Sequence, residues 1–274
     1  WVNPEAIRAY LDDTKSSLGD KATGLYQKLE ELETLLPRVN RHLSEDTTRQ
    51  TIAEAEKLLA LKREIILANP LLDVDKILIA RYRLGNKARK AMGPSLGTSV
   101  ANYNSLFSSR RKGYDAEISQ LSNLRGDIQS KTIYKPEADV PISDIQLHWD
   151  ADRLLFSSLN ENRQWQIYEI NTDSTGLHQK VVVDEPDLEF CDANYLPDGK
   201  VVATCNIGYN GVPCVHGDDV VANLVSYDPE TKNIHRLTFD QDGNWAPIVI
   251  PNGRLMYTRW EYTDLTHYFS RFVM

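Results

Sequence analysis

The chain has 274 residues, 41% of them hydrophobic and 26% charged, with a net charge of −8. No run of 18 apolar residues occurs, which excludes a helix crossing a membrane, and three cysteines exclude a small disulfide-stapled scaffold. The apolar share suffices for a packed core, which excludes disorder along the whole chain.

The charge is unevenly spread. Residues 1–134 carry 21 Lys+Arg against 17 Asp+Glu, a balance of +4, and residues 135–274 carry 10 against 22, a balance of −12. Two regions of different character are expected.

Helices come first. Asn3 suits an N-cap and Pro4 the first turn of a helix. A second helix is predicted from about Asp20 to Leu36, with Leu25, Leu29, Leu32 and Leu36 at helical spacing and Pro37 ending it. A third is predicted from Ser44 or Asp46 to about Ala68. Its apolar positions are Ile52, Ala55, Leu58, Leu59, Ile65 and Ile66, and Asn69-Pro70 stops it. Three amphipathic helices bury one face against each other or a neighbouring domain, which reads as a packing or docking region over residues 1–70.

Strands follow, and they repeat. Ile77 to Tyr82 is a β-rich apolar run. Turn signals then recur near every 50 residues: Asp150-Ala151-Asp152-Arg153, Pro197-Asp198-Gly199-Lys200 and Pro251-Asn252-Gly253-Arg254. A second turn series interleaves at Arg125-Gly126-Asp127, Asp173-Ser174-Thr175-Gly176 and Glu230-Thr231-Lys232-Asn233. Four antiparallel strands per 40–50 residues is the pattern of a β-propeller blade. A β-sandwich with coincidental spacing explains it less well, because the two series stay in phase. The expected class is α+β, mainly β. A helical region, 1–70, precedes an incomplete propeller, 71–274, with blades at about 74–135, 143–183, 188–240 and a truncated 245–274. Trp1 at one end and the apolar Arg271-Phe272-Val273-Met274 at the other lead to the expectation of a piece of a longer protein. A propeller ring usually needs four to eight blades, so other chains or downstream domains are expected to complete it.

The run Tyr257-Thr258-Arg259-Trp260-Glu261-Tyr262-Thr263-Asp264, with His267-Tyr268-Phe269-Ser270-Arg271 after it, resembles a signature of proteins related to the alpha subunit of hydrazine synthase. Asn69-Pro70-Leu71-Leu72, Gly113-Tyr114-Asp115, Leu121 to Gly126, Tyr195 to Gly199, Gly211 to Val215 and Leu237 to Gln241 extend the resemblance in order over about 69–274. It implies an extracytoplasmic, periplasmic or secreted, bacterial protein with a propeller in its N-terminal part and haem c in later domains. This chain has no Cys-x-x-Cys-His string, so no cofactor is expected in it. Any haem c or metal is expected in missing domains.

Several side chains are candidates for a site. Arg259, Glu261, Asp264 and His267, with Trp260, form the densest polar cluster, and strand alternation places Arg259 and Glu261 on one face; they read as channel-lining groups or as an ion pair closing a blade. Cys214, His216 and Asp218 have the chemistry of metal ligands in a long connector. Cys191 and Cys205 lie seven residues either side of Asp198, so they are candidates to face each other across a hairpin. A disulfide between two of Cys191, Cys205 and Cys214 would suit an oxidising compartment. Residues 81–112 hold eight basic side chains and no acidic one; docking on the acidic blades explains them better than binding nucleic acid. Trp149, Trp165, Trp245 and Trp260 are candidate stacking surfaces for a glycan or small metabolite. No phosphate loop or nucleophile elbow is present. The preferred expectation is a scaffold or interaction segment. The alternatives are part of a redox enzyme whose site lies outside this chain, and a propeller that binds a glycan or metabolite.

Overall fold

The computed structural model describes residues 2–45, 47–84, 106–109, 111–137, 139–212, 217, 220–261 and 271–273. Their contacts divide into two compact units, Trp1–Ile77 with Leu121–Gln129, and Leu78–Gln120 with Ser130–Met274.

The first unit is built on three helices. Helix α1, Pro4–Leu18, is capped by the Asn3 side chain, which accepts from the Ala6 N–H at 3.2 Å. Pro4 sits in the first turn, where its missing N–H leaves no bond unmade. Helix α2, Lys21–Glu45, runs straight through Pro37, contrary to the expected stop. Proline removes one backbone bond there. Burial of Leu35 and Val39, on either side of it, outweighs that loss. Helix α3, Arg49–Leu67, starts later than expected because Thr48, not Ser44 or Asp46, provides the cap, accepting from Thr51 N–H at 3.1 Å. The face it buries is set by Thr51, Leu58, Leu61 and Ile65, whereas Ile52 and Leu59 face solvent. One core of Leu11, Leu29, Leu32 and Ile65, all fully buried, joins the three helices. The hairpin turn in this unit is held by arginines. Arg63 donates to the carbonyls of Leu124 (2.6 Å) and Gly126 (2.7 Å), and Arg125 donates to those of Leu67 and Leu72 and to Asp73.

Among the described residues the strands form four sheets in chain order. Strands β1 (Lys76–Leu84), β2 (Tyr114–Ser122) and β3 (Gln129–Tyr134) make the first. β4 (Ile142–Leu147), β5 (Arg153–Leu159), β6 (Trp165–Asn171) and β7 (His178–Gln179) make the second. β8 (Phe190–Tyr195), β9 (Val201–Cys205), β10 (Asn223–Tyr227) and β11 (Ile234–Arg236) make the third. β12 (Gly243–Val249), β13 (Leu255–Trp260) and β14 (Arg271–Val273) make the fourth. Neighbours in sequence are neighbours in each sheet, as in propeller blades. The fold is α+β, mainly β: helices followed by an incomplete set of propeller-type blades. The two turn series hold, at Ala151 (φ 57), Gly199 (φ 85) and Gly253 (φ 81) in one and at Ser174 (φ 84), Gly176 (φ 70) and Lys232 (φ 59) in the other.

One irregularity recurs. The first strand of three successive blades breaks register at the same place, between Ser143 and Gln146, Cys191 and Asn194, and Trp245 and Ile248. Each break carries a residue in left-handed backbone: Asp144 (φ 53), Asp192 (φ 55) and Ala246 (φ 51). Aspartate tolerates that region better than most residues.

The bulge corrects the disulfide expectation. Tyr195 pairs with Val201 and Asn194 with Val202, a register that if continued would set Cys191 opposite Cys205. The bulge shifts it by one, so Cys191 faces Thr204 and Cys205 faces Phe190. The two thiols then point into different cores, Cys191 with Trp165 and Trp245, Cys205 with Phe190 and Val225. Both are free and buried. Cys214 lies outside the described residues.

Candidate functional site

The first strands of the blades place a carboxylate pair at their bulges. Asp192 is the connector. Its backbone N–H donates to Ser157 Oγ on β5 at 3.1 Å, and its Oδ2 accepts from Thr204 Oγ1 at 2.9 Å and from the Ala246 N–H on β12 at 3.1 Å. One side chain and its own amide thus tie three successive blades. Asp144 lies beside it with Oδ2 buried and unpartnered. Burial, then the negative charge of Asp192 and a hydrogen bond with it, pushes the Asp144 carboxyl well above the usual carboxylate range. Burial, reinforced by Asp192 and Asp144, likewise raises the Cys191 thiol. No sequence motif marks this pair, because the bulge residues, Ser143-Asp144, Cys191-Asp192 and Trp245-Ala246, share no string.

The cluster around Arg259 sits where β12 starts and β13 ends. Arg259 Nη2 contacts Asp240 Oδ1 at 2.6 Å and Glu261 Oε1 at 2.5 Å. Asn244, opposite Arg259 in register and fully buried, donates to Asp240 Oδ2 at 2.7 Å. One guanidinium is shared between two carboxylates, while Arg259 Nε and Asn244 Oδ1 are buried without a hydrogen-bond partner. Trp260 is fully buried in the core with Trp165 and Trp245. Asp264 and His267, and the metal candidates Cys214, His216 and Asp218, lie outside the described residues.

The opposite ends of the strands carry the hairpin turn between β4 and β5. Trp149 is 60% exposed there, the one candidate tryptophan that is not core. His148 packs edge-on against Tyr195, with ring centres 4.7 Å apart, and Trp149 lies 6.4 Å from the same ring. Arg153 Nη2 approaches His148 Nε2 at 2.6 Å, and Asp150 Oδ2 lies 3.3 Å from Nδ1. The Asp150 backbone N–H also donates to His148 Nδ1, at 3.2 Å. His148, Asp150 and Asp152 are close enough together to hold a metal ion. Arg153, however, donates to both Asp152 oxygens at 2.9 Å and so supplies the positive charge already. Behind the turn the buried carboxylate of Glu169 meets Lys180 Nζ and Tyr195 Oη, both at 2.9 Å. Burial and the Glu169 charge raise the Tyr195 phenol.

Two basic side chains of the stretch 81–112 dock on acidic ones. Arg111 makes a two-pronged contact with Glu189 at 2.8 and 2.9 Å, and Arg81 pairs with Glu117. The Glu117 carboxyl is held down to about 2 by hydrogen bonds from Ser119 and Thr132, and then by Arg81.

No family profile and no curated protein matches the sequence. Solved structures are similar at low identity. A protein described as TolB from Agrobacterium tumefaciens is 14% identical with a TM-score of 0.41, over 56% of this chain and 48% of that one. A puromycin-hydrolyzing peptidase from Mycobacterium tuberculosis is 15% identical with a TM-score of 0.36, over 57% and 24%. TolB from Acinetobacter baumannii is 14% identical with a TM-score of 0.30, over 73% and 51%. The chain thus spans about half or less of the length of each of these proteins. The blade assignment rests on strand order and register.

Proposed function

We propose that this chain is a scaffold and interaction segment of an extracytoplasmic bacterial propeller protein resembling the hydrazine synthase alpha-subunit family. One contrast carries the reading. The charged clusters of the blades pair internally, Arg259 with Asp240 and Glu261, Glu169 with Lys180 and Tyr195. Large apolar side chains stay exposed at turns and connectors, including Trp149 and, 73% exposed, Phe239. Surfaces of that kind hold partners rather than transform substrates. No helix among the described residues is long and apolar enough to cross a membrane. Any haem or metal of such a protein would belong to other domains or to a partner chain. The test is cross-linking mass spectrometry and footprinting of the protein from its native source. Protection of the turn at Trp149 and of Phe239 by a partner or a further domain is expected. A native protein in which both stay solvent-accessible would overturn the reading. A glycan-binding reading is favoured by one observation, the exposure of Trp149 beside His148 and Tyr195. A Trp149→Ala variant that folds and keeps an unchanged glycan-array profile would remove it.

A further inference from the structure

A cavity of about 410 Å³ opens in the helical unit, where α2, α3 and the turn joining β2 to β3 meet. All of its lining residues belong to the first compact unit. Helical spacing builds one wall: Ala60, Arg63, Glu64 and Leu67 recur at i, i+3, i+4 and i+7 and so share a face of α3. Leu25, which is buried, and Lys28 line it from α2, one turn apart. Ala68 and Arg125 complete the lining. Sites for small molecules run from about 300 to 1,000 Å³, so the cavity is large enough to hold one.

The charges around it do not cancel. Lys28 pairs with Glu64, the one acid of the lining. Arg125 pairs with Asp73 at 3.0 Å. Arg63 has no carboxylate partner among the described residues. Its Nη2 donates to the carbonyls of Leu124 and Gly126, which holds the guanidinium in place without neutralising it. Nε and Nη1 keep their N–H donors unused among the described residues. The apolar part of the lining, Leu25, Ala60, Leu67 and Ala68, is wholly aliphatic.

We infer that this cavity binds a monocarboxylic acid with an aliphatic chain, its carboxylate on Arg63 and its chain along Leu25, Ala60, Leu67 and Ala68. One uncompensated positive charge matches a carboxylate rather than a phosphate dianion, and a guanidinium meets a planar carboxylate through two parallel N–H bonds. The site lies on the helices and stands independently of the scaffold reading, which rests on the blades.

The experiment titrates the full chain with octanoate, 1-octanol, acetate and inorganic phosphate at constant ionic strength. Backbone and arginine Nε resonances are followed by NMR. Octanoate should shift residues 60–68 and Arg63 Nε saturably. Octanol lacks the charge and acetate lacks the chain, so each should bind at least about tenfold more weakly. Ala60→Glu sets a negative charge at an exposed lining position and should weaken octanoate binding about tenfold relative to Ala60→Gln, which has the same bulk and no charge. Thermal melts report whether each variant is folded. Four results would overturn the assignment: no saturable octanoate shift, saturation confined to other residues, octanol or phosphate binding as tightly as octanoate, or equal octanoate binding by the two folded variants.

Discussion

Replacing Asp144 with asparagine should stabilise the protein at neutral pH, and the gain should grow with pH. Asp144 has one buried oxygen with no partner and lies against the charge of Asp192. Its carboxyl is raised in the folded chain, so the folded state holds this proton more tightly than the unfolded one. The corresponding stability is complete below the unfolded-state value, about 3.9, and is lost as pH rises through the raised folded value. Asparagine keeps the shape and offers an N–H to the Asp192 carboxylate. Relief of an uncompensated buried acceptor is worth about 1–3 kcal/mol, and each kcal/mol shifts the melting temperature by about 2–4 °C in a chain of this size. Thermal and urea melts of both proteins at pH 4.5 and 7.5 measure the difference directly, which cancels the titration of all other groups. Equal stability at pH 7.5, or a gain that does not change with pH, would show that the Asp144 carboxyl is not raised in the folded chain.

Glu117→Gln should act with the opposite sign. The Glu117 carboxyl is depressed to about 2, so its stabilisation is present above about 4.3 and disappears as pH falls through about 2; a loss of about 1–2 kcal/mol at pH 7 that shrinks in acid melts is expected. Pro37→Ala should raise helix stability by about 1–3 kcal/mol, because the residue lies inside α2 and alanine restores its backbone bond; circular dichroism melts decide, and a destabilised variant would show that a kink at Pro37 is required. Leu29→Ala should cost about 2–5 kcal/mol, since the side chain is fully buried between the helices, and a loss under 1 kcal/mol in urea titration would mean the helical core is loosely packed. Burial pushes the Cys205 thiol up to about 12 and raises Cys191 as well, so both should resist thiol reagents at pH 8 until denaturant is added; peptide mass mapping that finds them bonded to each other would contradict the bulged register.

What could be read from the sequence was local. Asn3 and Pro4 start the first helix as their chemistry dictates, and the Asp-Gly and Asn-Gly turns lie where hairpins need positive φ. The misreadings came from tertiary effects. Pro37 was overruled by the burial of Leu35 and Val39 around it. The start of α3 moved because Thr48 rather than Ser44 or Asp46 caps it. Symmetric spacing about Asp198 suggested a Cys191–Cys205 contact, and one residue of bulge undid it. Alternation did place Arg259 and Glu261 together, but neither alternation nor composition identifies Asp240 and Asn244 as their neighbours, since those come from other segments. The Asp144–Asp192 pair was invisible for the same reason: it exists only because the first strands of adjacent blades run side by side.

The position of Asp192 also bears on how the protein comes apart. Its amide and carboxylate reach Ser157 in the blade before and Ala246 in the blade after. If the central blade opens, both neighbours lose an anchor at once. Repeat architectures often fray from one end, unit by unit. Here the three blades should instead exchange their amide hydrogens at a common rate, as one cooperative block, so a gene duplication that inserted a blade beside Asp192 would have to recreate both anchors to be tolerated.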